Sequence, residues 1–178
     1  MQYPATHLVV MGVAGSGKST LAAALSRQLG WVCAEADEFH PQSNIEKMSQ
    51  GTPLQDEDRW PWLQEIQNWM TVQAQAGTST VLTCSALKQG YRRLLAQAEG
   101  RVLFLHLHGE ADLIGQRMQG REGHFMPPTL LPSQLATLEP LSDEEIAAGS
   151  LRLDISKSPE DLVKTIIAAL QLPAEHAS

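Results

Sequence analysis

The eight residues from Gly12 to Ser19 read G-V-A-G-S-G-K-S. They fill every fixed position of the pattern G-x-x-x-x-G-K-[ST], which constrains the fold more than any other stretch of the chain. Glycines in such a loop accept positive φ and let successive peptide N–H groups turn toward one phosphate. Lys18 brings a cation to the terminal phosphates, and the Ser19 hydroxyl is the expected protein ligand of Mg²⁺. The flanks agree with this reading. His7 to Met11 is a short apolar run, H-L-V-V-M, suited to a strand buried on both faces of a parallel sheet. After the loop, Leu21, Leu25 and Leu29 recur at helical spacing until Gly30 ends the run. A strand, a glycine loop and a helix in that order place the positive end of the helix dipole at the anion. Gly12, Val13, Ala14, Gly15, Ser16, Gly17, Lys18, Ser19 and Thr20 are therefore the expected cradle of a nucleoside triphosphate.

The rest of the composition narrows the partners. A chain of 178 residues, 43% of them hydrophobic, suffices for one buried core and is short for two domains, so a single domain over 1–178 is expected. A formal net charge of -7 disfavours broad electrostatic attraction to nucleic acid or to an anionic membrane. No apolar run reaches the length of a membrane span, and the N-terminus lacks the charged and apolar regions of a signal peptide. Cys33 and Cys84 both fall in apolar, strand-like runs without metal-ligand spacing. They read as buried thiols of a cytoplasmic protein.

Four further strands are expected, at Trp31–Ala36, Thr80–Cys84, Val102–Leu107 and Leu151–Ile155. Between them, Leu63, Ile66, Met70 and Ala74 share one helical face, as do Leu87, Tyr91, Leu94 and Leu95, and then Leu113, Ile114 and Met118. Ser158 and Asp161 make a capping-box-like start to a final helix, with Pro159 in its first turn and Leu162, Ile166 and Leu170 along one stripe. Alternation of this kind predicts an α/β fold with a mainly parallel sheet. Two stretches interrupt it. Residues 39–62 are polar and turn-rich, with a short helix expected near Asn44–Ser49, and residues 120–140 carry two glycines and four prolines. Long excursions at the ligand end of a compact α/β unit are usually functional.

The second strand runs into Glu35-Ala36-Asp37, which on a period of two puts both carboxylates on one face at the ligand edge of the sheet. One carboxylate there can hold Mg²⁺ through water while the other accepts a proton from an attacking hydroxyl. The competing reading is an exposed acidic strand end. H-x-H at His106 and His108 has no second ligand pair, which argues against a metal site. Trp60, Trp62 and Trp69 read as helix packing rather than a base-stacking platform.

The stretch from Ala36 to Leu63, A-D-E-F-H-P-Q-S-N-I-E-K-M-S-Q-G-T-P-L-Q-D-E-D-R-W-P-W-L, resembles the signature segment of gluconokinases. C-S-A-L-K-Q-G-Y-R from Cys84 to Arg92 and R-M-Q-G-R-E-G-H-F-M from Arg117 to Met126 follow it in the order of that family. The resemblance implies a three-layer fold of the phosphate-loop kinases, with a five-stranded parallel sheet ordered 2-3-1-4-5. It implies ATP-dependent phosphorylation of D-gluconate at its terminal hydroxyl, an acceptor-binding segment over about 38–62, a lid over about 117–140, and a homodimer. By position, Asp37 matches the carboxylate that meets the acceptor hydroxyl, and Glu35 matches a metal-associated acid. Arg59 is placed like the arginine that clamps the acceptor carboxylate in shikimate kinase, a bidentate role suited to a guanidinium. Its alternative is a local ion pair with Asp56 or Asp58. His40 and Lys47 are expected polar contacts to the acceptor, with His40 alternatively ordering its own loop. Ser85, Lys88 and Arg92 are expected to face the acceptor or the transferred phosphate, while Arg93 reads as surface charge. Arg117 and Arg121 share a helix face and are expected on the phosphates in the closed state. At the end of the third strand, Cys84-Ser85 stands where many loop-containing ATPases carry an aspartate, which argues against an ATPase motor. A nucleoside monophosphate or shikimate-type kinase is the nearest rival, and a guanine-nucleotide switch is disfavoured because no N-K-x-D sequence occurs.

Overall fold

A computed structural model of the chain describes residues 5–13, 16–109 and 135–172. Its centre is β1 (Thr6–Met11), whose side chains divide between two cores as a period of two requires. Leu8 and Val10 join one cluster and Val9 and Met11 the other. Around β1 lie β2 (Val32–Glu35), β3 (Thr80–Thr83), β4 (Arg101–His108) and β5 (Leu151–Asp154), in the spatial order β2-β3-β1-β4-β5. Every pairing is parallel. The carboxyl ends of β1, β2 and β3 therefore share one edge, with Val10 and Glu35 both in register with Thr83.

Helices cover both faces, which is how a parallel sheet stays dry. On one face α1 (Lys18–Leu29) and the final helix, α6 (Pro159–Leu170), bury Leu21, Leu25, Leu162 and Ile166 against Leu103, Leu105 and Leu107. Ser158 caps α6 by accepting from the Asp161 N–H at 3.1 Å, with Pro159 opening the first turn. On the other face α3 (Asp56–Gln75) and α4 (Gln89–Leu95) bury Leu63, Ile66, Met70, Tyr91 and Leu95 against Val9, Leu82 and Phe104. A short α2 (Gln42–Ser49) and α5 (Asp143–Ala147) lie outside these two layers of longer helices.

Four local expectations change. β2 ends at Glu35, and the chain enters a 3-10 turn over Ala36–Phe39, so Asp37 is no longer on the strand and the period of two stops short of it. The helix expected around Leu63, Ile66, Met70 and Ala74 begins well before that face, at Asp56, because the Asp58 carboxylate accepts from the Gln55 N–H at 2.9 Å and satisfies the first turn. Pro61 consequently lies inside α3, forgoing one main-chain bond in its second turn. Leu87 precedes α4 rather than belonging to it. Cys33, expected to be buried, is exposed because β2 is an edge strand, whereas Cys84 on the inner β3 side is buried.

Candidate functional site

The phosphate loop leaves the C-terminal end of β1 and opens α1. Gly12 has φ of 148°, and a Cβ at that position would lie 2.8 Å from both the Leu107 carbonyl oxygen and Ser16 Oγ. No larger residue fits such a cradle without moving main chain. Gly17 caps α1 in the left-handed region at φ 100°. The first turn of α1 carries no acidic residue, whereas α3, α5 and α6 each place carboxylates there. The dipole of α1 is thus left for an external anion. Lys18 folds back across the loop, donating from Nζ to the carbonyls of Gly12 at 3.0 Å and Val13 at 3.1 Å. Ser16 Oγ donates to the Val13 carbonyl at 2.8 Å. Ser19 and Thr20 occupy the first turn of α1.

Two main-chain bonds tie this loop to its neighbour. Cys84 N–H donates to the Val10 carbonyl at 3.0 Å, and Gly12 N–H donates to the Ser85 carbonyl at 3.3 Å. Main-chain bonds therefore tie the segment carrying Ser85 and Lys88 to the phosphate loop and the end of β1. Burial pushes the Cys84 thiol up to about 12 against the Ala86 N–H, with the charges of Asp37, Lys18 and Arg59 all acting on the same sulfur. Glu35 closes β2 and Asp37 stands exposed in the following turn.

The residues expected at the acceptor lie on α2, α3 and α4 and the turns that precede them. Asn44, 1% exposed, donates from Nδ2 to the Asp58 carbonyl at 2.8 Å and lies 3.1 Å from His40 Nδ1. Because that amide nitrogen must be a donor, His40 Nδ1 accepts and the ring proton sits on Nε2. Burial, reinforced by the Arg59 charge, lowers His40 to about 4, so the imidazole is neutral at pH 7. Its ring stacks on Trp62 with centroids 4.0 Å apart. Lys47 Nζ meets both Asp58 carboxylate oxygens at 2.9 Å. The Lys47 ammonium, with help from the Gln55 N–H, holds Asp58 below the usual carboxylate range.

Arg59 pairs with neither Asp56 nor Asp58. Its Nη1 donates to the Tyr91 hydroxyl at 2.7 Å, and that hydroxyl donates to Asp56 Oδ1. Lys88 Nζ reaches the same Asp56 oxygen at 3.1 Å. The Tyr91 hydroxyl first, and Lys88 next, hold Asp56 below its ordinary value. Lys47, Arg59 and Lys88 thus lie interleaved with the oxygens of Asp58, Tyr91 and Asp56.

Arg92 does not belong to this group. It is 1% exposed, with Nε and Nη2 donating to Glu145 at 2.7 and 3.1 Å, Nη1 to the Ala86 carbonyl at 2.8 Å and Nη2 to the Pro140 carbonyl at 3.1 Å. All three guanidinium nitrogens are engaged, so the role expected for it at the substrate is replaced by a structural one. Arg92 holds the loop after β3, where Ala86 has φ of 46°, against α5. Backbone in that region is costly for alanine and persists where the surroundings fix it.

Tyr91 and Trp62, both expected in packing, also bond polar partners, as do Asn44, Asp56 and Asp58. Their one advance sign was the acidic run at the start of α3. Ala14, Gly15, Arg117, Arg121 and the helical pattern of Leu113, Ile114 and Met118 lie outside the described residues, as do residues 117–134 of the lid expected over about 117–140. His106 and His108 have ring centroids 6.1 Å apart, and burial first, then the charge of His108, lowers His106 to about 4.

A central parallel sheet with a lysine-bearing glycine loop at its carboxyl edge defines a phosphate-loop kinase. A family profile described as an AAA domain matches residues 8–141. A gluconokinase of Gluconobacter oxydans (strain 621H) is 46% identical over 164 residues, covering 92% of this chain and 90% of that protein. A sugar kinase structure from Janibacter sp. HTCC2649 superposes with a TM-score of 0.89 at 48% identity, covering 98% of this chain and 99% of that one. A gluconokinase structure from Sinorhizobium meliloti 1021 does so with a TM-score of 0.79 at 39% identity, covering 96% and 94%. The chain belongs to the gluconokinase family.

Proposed function

We propose that the protein transfers the γ-phosphoryl group of ATP to the terminal hydroxyl of D-gluconate, giving 6-phospho-D-gluconate and ADP. The observation that supports this reading is the hydrogen bond from Gly12 N–H to the Ser85 carbonyl, which joins the phosphate loop to the segment carrying Ser85 and Lys88. Family membership supplies the acceptor's identity. Transfer of this kind rests on positioning and electrostatics more than on covalent chemistry.

The loop from Gly12 to Thr20 receives the ATP phosphates, including Ala14 and Gly15. Lys18 exchanges the Gly12 and Val13 carbonyls for phosphate oxygens, a favourable trade because the new partner is charged. Asp37 orients the acceptor hydroxyl and takes its proton as the oxygen attacks phosphorus and the bond to the ADP oxygen breaks. Arg59, Lys47, Lys88, His40 and Ser85 hold the acid and its hydroxyls. Arg117 and Arg121 meet the charge that builds on the transferring group. The donor set also suits Mg²⁺, since Ser19 and Glu35 offer hard oxygen ligands, Glu35 acting through water. Bound there, Mg²⁺ neutralises charge on the phosphate oxygens. One kinase domain over 1–178, a lid over 117–140, a cytoplasmic setting and a homodimer belong to the same reading.

ADP formation measured with and without D-gluconate tests it. ADP release that depends on gluconate, with 6-phosphogluconate as product, is the expected result. Equal release without acceptor, or a preference for shikimate or a nucleoside monophosphate, sinks it.

A further inference from the structure

Two cations of the acceptor cleft gather on one aromatic ring. The Arg59 guanidinium carbon lies 5.4 Å and Lys88 Nζ 5.6 Å from the Tyr91 ring centroid. The Tyr91 hydroxyl accepts from Arg59 and donates to Asp56, and Asp56 in turn accepts from Lys88. Two like charges so placed repel each other. The negative face of the ring and the Asp56 carboxylate offset that repulsion and fix the spacing.

Tyr91 itself is held by the fold. It is 2% exposed, belongs to the core beneath α3 and α4, and receives Trp60 edge-on with ring centroids 5.4 Å apart. Burial, reinforced by the bond to Asp56, raises its phenol above the ordinary value, so the hydroxyl keeps its proton and its direction.

We propose that Tyr91 is a positioning residue that makes the cleft selective for a carboxylate-bearing acceptor, by presenting Arg59 and Lys88 to that carboxylate at a fixed separation. The inference rests on the reading that Arg59 and Lys88 bind the acid group of the acceptor. Tyr91 acts through those cations and leaves the transferred phosphoryl group alone. Neutral polyols gain nothing from the arrangement, because they carry no group for the paired cations to meet.

Tyr91→Phe keeps the ring and its volume and removes the hydroxyl that aims Arg59. The gluconate KM is expected to rise about tenfold, the scale of one hydrogen bond to a charged group. The kcat and the ATP KM are expected to hold. The inhibition constant of glucitol, which is gluconate with its carboxylate reduced to an alcohol, is expected to stay constant, so acid-over-polyol selectivity falls by the same factor. The effect of Tyr91→Phe on the gluconate KM is expected to be smaller in the Arg59→Ala background than in the unaltered protein, the remainder passing through Asp56 to Lys88. Equal weakening of gluconate and glucitol by Tyr91→Phe overturns the inference, since that is what general loosening of the cleft produces. So does an unchanged gluconate KM in Tyr91→Phe where Arg59→Ala raises it, and the acceptor assignment of Arg59 then survives. If Arg59→Ala and Lys88→Ala both leave the gluconate KM unchanged, the acceptor assignment fails and takes the inference with it.

Discussion

The indole Nε1 of Trp62 donates to the main-chain oxygen of Ala36 at 2.7 Å, joining the first half of α3 to the turn that carries Asp37. Ala36 is 1% and Trp62 5% exposed, so water does not replace the bond. The same indole stacks on His40. One side chain thus braces both the turn that carries the proposed proton acceptor and the His40 ring.

Trp62→Phe leaves the Ala36 carbonyl buried without that donor. A loss of about 1–3 kcal/mol in unfolding free energy is expected, measured by urea denaturation. The kcat should fall with it, because the Asp37 turn loses its anchor. Wild-type stability in this variant would show that the bond is replaceable.

Asp37→Asn retains shape and removes the proton acceptor. Turnover is expected to drop roughly 10²- to 10⁴-fold, the usual worth of a positioned general base. Nucleotide affinity, read by equilibrium titration, should be preserved because the loop is untouched. Normal turnover would assign Asp37 to the surface.

Glu145→Gln removes the carboxylate facing a guanidinium that is 1% exposed. Burial alone would raise Glu145, yet its bond with Arg92 holds it below the ordinary value, so the pair is ionised. Stranding the arginine is expected to cost about 3–5 kcal/mol. Combining the change with Arg92→Met should restore part of that loss, since no charge is then left buried. A double variant less stable than Glu145→Gln would mean that the bonds of Arg92 to Ala86 and Pro140 dominate.

Stability should fall as pH drops from about 6.5 toward about 4. His40 and His106 titrate at 6.5 when unfolded and at about 4 when folded, so the unfolded chain binds more protons across that window. Their contribution is present above pH 6.5 and is lost on the way down. Neither ring nitrogen of His106 has a hydrogen-bond partner among the described residues. His106→Leu should therefore raise the unfolding free energy at pH 7 by about 1 kcal/mol and flatten its decline toward pH 5. A steeper decline would locate the titration elsewhere.

Much of the frame was legible because it is written locally. The alternation of Leu8, Val9, Val10 and Met11, the glycines at 12 and 17, and the Ser158 cap each depend on neighbours within a few residues, where backbone geometry and residue type decide the outcome. Residues 36–63 and 84–92 also carried the family signature in their order alone. Local signals failed where the chain bends or the sheet ends: Asp37 left its strand at a turn, and Cys33 became exposed because β2 has only one neighbour.

The loop from Gly12 to Ser19, and with it the commitment to a phosphate ligand, was fixed by sequence, since a backbone cradle needs particular residues at consecutive positions. The choice of partners among the charged residues was made only by tertiary structure. Arg59 had acids one and three residues away and bonded Tyr91, 32 positions on; Tyr91 reached back 35 to Asp56, and Arg92 found Glu145 across 53. A long side chain samples every group that folding brings near its tip, and which of them is buried, aligned and desolvated depends on how α3, α4 and α5 pack.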